Sequence, residues 1–124
     1  MSFDYLVICT GFSYASPIKS ENSVSLKDRT KELDDIYERV KNAKSILVAG
    51  GGYVGCEVAG ELAVAYSKEK KIGLCIKSDK LMQQFTQRFG EVTEEFLKNH
   101  NVIIHKNVTF SDSTTKDLGY ELSI

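Results

Sequence analysis

Hydrophobic positions follow two rhythms along the chain. Short, almost unbroken apolar runs stand at residues 3–9 (Phe-Asp-Tyr-Leu-Val-Ile-Cys), 46–49, 71–76 and 102–105. Runs of this length predict strands, and their lack of polar alternation predicts strands covered on both faces, as in a parallel sheet. Between them apolar residues return every three or four positions: Leu33, Ile36, Tyr37 and Val40; then Val54, Val58, Leu62, Ala65 and Tyr66; then Phe89, Val92, Phe96 and Leu97. That spacing predicts helices over 27–42, from the glycine run to about residue 68, and over 89–99. Ser25-Leu26-Lys27-Asp28 has the spacing of a capping box for the first, and Asn99-His100-Asn101 stops the last. Residues 12–25, rich in Ser and holding Pro17, predict an irregular connection. Residues 108–110 and 120–124 predict paired antiparallel strands around 111–119. The expected fold is therefore α/β: a Rossmann-type parallel sheet flanked by helices, with a small antiparallel hairpin near the C-terminus.

The turn between the strand at 46–49 and the helix after it carries chemistry. Gly50, Gly52 and Gly55 have the spacing G-x-G-x-x-G. The first glycine lets the chain turn sharply, the second lets backbone approach a pyrophosphate, and the third lets helix and strand pack closely. The helix then begins with unpaired N–H groups, which favour an anion. The run Gly50, Gly51, Gly52, Tyr53, Val54 and Gly55 is thus the expected cofactor-binding turn. Lys77 follows the second strand of the unit, where an NAD-preferring domain carries Asp or Glu for the ribose 2′-OH. A cation there inverts the preference, and Lys77 and Lys80 together fit a 2′-phosphate. The expected cofactor is NADP or NAD, with NADP slightly favoured; the competing reading makes both lysines solvated loop residues.

Composition narrows the picture by exclusion. With 124 residues, a net charge of −1 and 27% charged residues, the chain has no basic excess to suggest nucleic acid. Cys9, Cys56 and Cys75 are widely spaced and odd in number, so free thiols in a cytoplasmic or otherwise reducing compartment are expected rather than a disulfide framework or a metal site. No apolar run has the length of a membrane span, and no targeting signal is read in this segment. Cys56 is expected to pack as a small apolar residue, and His100 and His105 are read as surface or satisfied core positions rather than ligands.

The order strand, G-G-G-x-x-G-x-E helix, strand, helix, strand resembles the nicotinamide-nucleotide domain of the two-dinucleotide-binding-domain flavoproteins, the pyridine nucleotide-disulfide oxidoreductase superfamily. Phe3-Asp4-Tyr5-Leu6-Val7-Ile8-Cys9-Thr10-Gly11 is similar to the Y-D-x-L-V-I-A-T-G segment that closes the FAD-binding domain in that family. Gly50 through Leu62, the spacer over 66–71 and the strand ending at Ser78 look most like the apoptosis-inducing-factor-like and ferroptosis-suppressor-like NAD(P)H:quinone oxidoreductases.

The resemblance implies the NAD(P)H-binding segment of an FAD-dependent oxidoreductase, passing a hydride from nicotinamide to flavin and electrons on to a quinone or similar acceptor. It also implies that the flavin site lies in a missing FAD-binding domain, so that this segment alone is not catalytic and contributes no catalytic residue. Residues 1–43 are then the end of the FAD-domain strand plus linker and amphipathic helix, and 44–124 the nicotinamide domain, behaving together as one globular unit. Glu57 has two readings: stabilisation by the helix dipole, or, by resemblance, a place near nicotinamide and flavin. Tyr53 matches an aromatic that lies over the flavin in some relatives, or is a half-exposed loop residue. Thr10 and Gly11 would approach FAD in a whole protein. The strand at 3–9 is expected beside the strand at 46–49, contributed by its own chain or by strand exchange in a homodimer. The alternatives are a stand-alone, non-catalytic dinucleotide-binding or regulatory module and, less well matched, a methyltransferase of related topology.

Overall fold

A computed structural model describes residues 3–11, 17–20 and 25–124. The irregular connection expected over 12–25 lies largely outside the described residues. Two compact units divide the chain, residues 1–37 and residues 38–124.

Helix α1 (Leu26–Asn42) begins within the first unit, at the capping box read from the sequence, and its last residues belong to the second. Ser25 N–H donates to the Asp28 carboxylate at 3.1 Å, and Asp28 N–H donates back to Ser25 Oγ at 3.2 Å. Two otherwise orphaned donors are satisfied, worth about 1 kcal/mol to helix stability. Arg29 donates to the Pro17 carbonyl at 2.8 Å and pairs with Glu32 at 3.0 Å.

The second unit is a four-stranded sheet of order β3-β2-β1-β4, with β1 (Ser45–Ala49), β2 (Lys71–Cys75), β3 (Val102–His105) and β4 (Leu122–Ser123). Every pairing is parallel, with Ser45 opposite Lys71, Ile72 opposite Val102 and Ile46 opposite Leu122. Helix α2 (Tyr53–Tyr66) joins β1 to β2, and α3 (Gln87–Asn99) joins β2 to β3. Ile46, Leu47, Ile72 and Leu74 are almost completely buried, each contributing about 1.5–3 kcal/mol of apolar burial. Small residues bring α2 close: Ala59, Gly60 and Ala63 are buried, and a side chain on Gly60 would touch Phe96 and Leu97 of α3. The α/β Rossmann-type architecture expected from the alternation of strand and helix is the one observed.

Two expectations are corrected. Residues 3–9 form no strand, and Phe3, Tyr5, Leu6, Val7 and Ile8 are exposed. The free edge of β1 is already taken: Glu121 N–H donates to Ser45 O, Ala49 N–H to Ile124 O, and Ile124 N–H to Leu47 O. With those ladder groups used, β4 holds the edge of β1 that the N-terminal segment was expected to fill. The C-terminal hairpin is likewise absent. Residues 108–110 are not a strand, helix α4 (Thr114–Asp117) stands in the expected loop, and β4 runs parallel to β1.

Tyr120 explains how β4 is seated. Leu47, Gly73 and Cys75 lie on one face of the sheet, and the Tyr120 ring packs there with Leu47 and Cys75, flanked by Val108 and Leu118. A Cβ at Gly73 would run into the Tyr120 phenol, so only glycine leaves room for the ring. The Tyr120 hydroxyl is hydrogen-bonded to His105 Nε2 at 3.0 Å, and the Lys71 ammonium sits 3.9 Å from the ring centroid.

Candidate dinucleotide-binding site

The glycine turn connects the carboxyl end of β1 to the amino end of α2. Gly50 has φ 118°, a backbone conformation that a side chain would strain, and its N–H donates to the Cys75 carbonyl at 2.9 Å. Gly55 lies so near Gly50 that a Cβ would collide with the Gly50 carbonyl. The first and third glycines therefore do what their spacing predicts. Gly52 is the N-cap of α2, in extended conformation and with no side chain to cap the helix. A Cβ there would meet nothing closer than Gln84 Nε2 at 3.8 Å, so the space in front of it is open.

Electrostatics favour an anion at this turn. The first intrahelical bond runs from Cys56 N–H to Gly52 O at 3.0 Å, which leaves the amides of Tyr53, Val54 and Gly55 outside the helical ladder. No acidic residue stands in the first turn of α2 to offset the positive end of the helix dipole. An open glycine N-cap, free amides and an uncompensated dipole together suit a pyrophosphate.

The other expected residues separate into groups. Tyr53 is half-exposed at the helix start. Glu57 is exposed and lines a groove of about 220 Å³ between α2 and α3, with Val64, Thr93 and Phe96. Lys77 and Lys80 are exposed on the loop after β2, and among the described residues neither has an ion-pair partner. The loop is fixed internally, Ser78 Oγ donating to Lys80 O at 2.9 Å, and joined to the end of β3 by Asn107 N–H donating to Ser78 O at 3.1 Å. Thr10 and Gly11 lie in the first unit; both are exposed, and Gly11 has φ 74°.

A cleft of about 610 Å³ is not lined by the glycine turn. It opens between the β2–α3 loop and α3, with Lys80, Phe85, Gln87, Glu94 and Lys106 on its walls. Lys106 and Lys98 hold the Glu94 carboxylate at 2.8 and 2.7 Å and lower its pKa from the ordinary 4.5.

Burial, with the nearby Glu57 carboxylate, pushes the Cys56 thiol up to about 11, which keeps it protonated and matches its role as a small packed residue. His105 is depressed below 6.5, first by burial and then by Lys71. His100 bonds the Phe96 carbonyl through Nδ1 at 2.8 Å.

Two features escape the sequence pattern. Gly51, an unspecified position of G-x-G-x-x-G, has no room for a side chain: a Cβ would lie 2.8 Å from Ile76 Cγ2 and 3.3 Å from Leu81 Cδ2. Its carbonyl accepts a 2.8 Å hydrogen bond from Met82 N–H, and Met82 has φ 53°. The only signal in the sequence is that three glycines stand together where the motif asks for two.

Comparison with known proteins gives this geometry a setting. The family model described as pyridine nucleotide-disulphide oxidoreductase matches residues 1–123. Apoptosis-inducing factor homolog A of Dictyostelium discoideum is 40% identical over 114 residues, covering 86% of this chain and 28% of that protein. Ferroptosis suppressor protein 1 of Xenopus tropicalis is 28% identical over 127 residues, covering 100% of this chain and 34% of that protein. Among solved structures, the water-forming NADH oxidase from Lactobacillus brevis, bound to NADH, superposes with a TM-score of 0.56 and 27% identity over 68% of this chain and 19% of that one. The chain spans about a third of the length of the curated relatives it matches.

Proposed function

This chain belongs to the pyridine nucleotide-disulphide oxidoreductase family, and from that premise we propose that it is the NAD(P)H-binding segment of an FAD-dependent oxidoreductase. In this reading residues 1–43 are the end of a flavin-domain strand, a linker and α1, and residues 44–124 are the nicotinamide-nucleotide domain. The observation that carries it is the turn at Gly50–Gly55: strained φ at the first glycine, open space at the second, contact with the Gly50 carbonyl at the third, and free amides at a helix start without acid.

Each residue then has a task. Gly52, Tyr53, Val54 and Gly55 present backbone N–H groups to the pyrophosphate, and Gly50 and Gly51 shape the turn that aims them. Lys77 and Lys80 meet the adenosine ribose end and favour a 2′-phosphate over a bare 2′-hydroxyl. Glu57, one turn further along α2, faces the nicotinamide end. Bound NAD(P)H supplies a hydride from nicotinamide C4. The sequence contains one G-x-G-x-x-G, occupied by this task, so the residues present do not fit a flavin as well. The flavin, the domain holding it and a quinone or similar acceptor belong to other sequence, where Thr10 and Gly11 approach the flavin. This segment binds and orients the hydride donor.

Titration of the chain with NADPH and NADH tests the reading. Both bind, NADPH more tightly, and Lys77→Glu weakens NADPH about tenfold or more, the equivalent of one charge-assisted contact, while sparing NADH. Failure to bind either nucleotide refutes the site. Equal binding that Lys77→Glu leaves unaltered refutes the assignment of the lysines.

A further inference from the structure

We infer that Gly51 is a positioning residue: its missing side chain sets the separation between the phosphate turn and the Lys77–Lys80 loop, and through it the preference for a 2′-phosphorylated nucleotide. The inference rests on the nucleotide reading above and adds to it a residue that touches neither phosphate nor ribose through a side chain.

Gly51 is wedged between the two residues that carry the lysines. A Cβ at 51 would meet Ile76 Cγ2 at 2.8 Å and Ile76 Cβ at 3.2 Å, and Ile76 directly precedes Lys77. It would also meet Leu81 Cδ2 at 3.3 Å, and Leu81 directly follows Lys80. Both neighbours are buried, Ile76 at 1% and Leu81 at 3% exposed, so neither can yield by swinging into solvent. The backbone repeats the connection, since Met82 N–H donates to Gly51 O at 2.8 Å.

The far side of the loop is blocked as well. A Cβ at Gly90 of α3 would lie 2.7 Å from the Leu81 carbonyl, so α3 backs the loop as closely as the turn fronts it. Residues 81 and 82 are therefore held between two glycines outside the G-x-G-x-x-G set, with Met82 at φ 53° and 6% exposed. A loop gripped on both sides moves when the front contact thickens, and Lys77 and Lys80 move with their neighbours. Gly51 itself is not in the left-handed region, so alanine there meets a steric constraint alone.

Gly51→Ala is the test, read two ways. NADPH and NADH dissociation constants give the preference, and hydrogen exchange at the Met82 amide reports the turn-to-loop contact without any nucleotide. The variant is expected to weaken NADPH more than NADH, lowering the NADPH:NADH preference about tenfold, the loss of one charge-assisted contact, and to speed exchange at Met82. Adding Ile76→Ala, which removes the obstructing methyl, restores both readouts; adding Ile76→Val, which keeps Cγ2, does not. Gly51→Ala decides the matter even where the double variant fails to fold. Equal weakening of both nucleotides, or an unchanged preference in a protein whose preference Lys77→Glu abolishes, overturns the role of Gly51 and leaves the site standing. A wild-type chain that binds neither nucleotide overturns the site itself.

Discussion

Replacing Gly73 by alanine measures what seats the terminal strand. The new methyl would occupy the space of the Tyr120 phenol, and β2 is central in the sheet, so the ring must leave. A tyrosine only 6% exposed forfeits on expulsion about what truncation of a buried aromatic costs, roughly 3–5 kcal/mol. That range already contains its hydrogen bond to His105, about 0.5–1.5 kcal/mol, and the Lys71 contact with its ring face, about 0.5–1 kcal/mol. Alanine returns about 0.4–1 kcal/mol by restricting the unfolded chain. The net loss is about 2–4 kcal/mol, which at a urea m-value of about 2 kcal/mol/M lowers the midpoint by about 1–2 M. The decisive arm is the double-mutant cycle with Tyr120→Ala, followed by urea unfolding. Without the ring, Gly73→Ala costs nothing and gains up to about 1 kcal/mol. If Gly73→Ala costs as much with alanine at 120 as with tyrosine, the collision is not the cause and the reasoning fails.

Acid titration should find His105. Its folded pKa lies below the ordinary 6.5, so the folded state holds fewer protons than the unfolded chain in the interval between the two values. Its contribution to stability is therefore complete above about pH 6.5 and is lost as pH falls through the folded value. His105→Gln, which keeps a hydrogen-bonding partner for the Tyr120 hydroxyl, flattens that part of the curve of unfolding free energy against pH; an unchanged slope refutes the assignment. Hydrogen exchange resolved by residue should show Ile124 and Glu121, the amides joining β4 to β1, opening well before those of β2, because β4 has two residues and lies at the sheet edge; equal protection would contradict this.

The local elements are legible because their determinants are local. The Ser25–Asp28 capping box, the alternation of apolar runs with helical stripes, and the glycine turn each act within a few residues, and each forms where the pattern puts it. Long-range choices are not written that way. An apolar run such as residues 3–9 carries the composition of a covered strand but not the identity of its cover, and Leu122–Ser123 holds the edge that run would need. Parallel or antiparallel direction is equally hidden in residues 108–124, because side-chain alternation is the same in both. Within the site, φ at Gly50 and contact at Gly55 follow from spacing. The constraint at Gly51 arises from Ile76 and Leu81, more than twenty residues away in sequence, and only the fold brings them there.

The parallel seating of β4 has a kinetic consequence. Glu121 N–H reaches Ser45 across 76 residues, whereas β1 meets β2 through a single intervening helix. Closing a loop roughly three times longer costs on the order of 1 kcal/mol more in chain entropy, and two ladder residues return little against it. The β1–β2–β3 unit with its helices can assemble from near neighbours, and the terminal strand then docks on a sheet already formed. Gly73 is the keyhole for that last step: the vacancy it leaves in the middle strand is where Tyr120 enters, so one absent side chain lets the slowest-closing contact find its register.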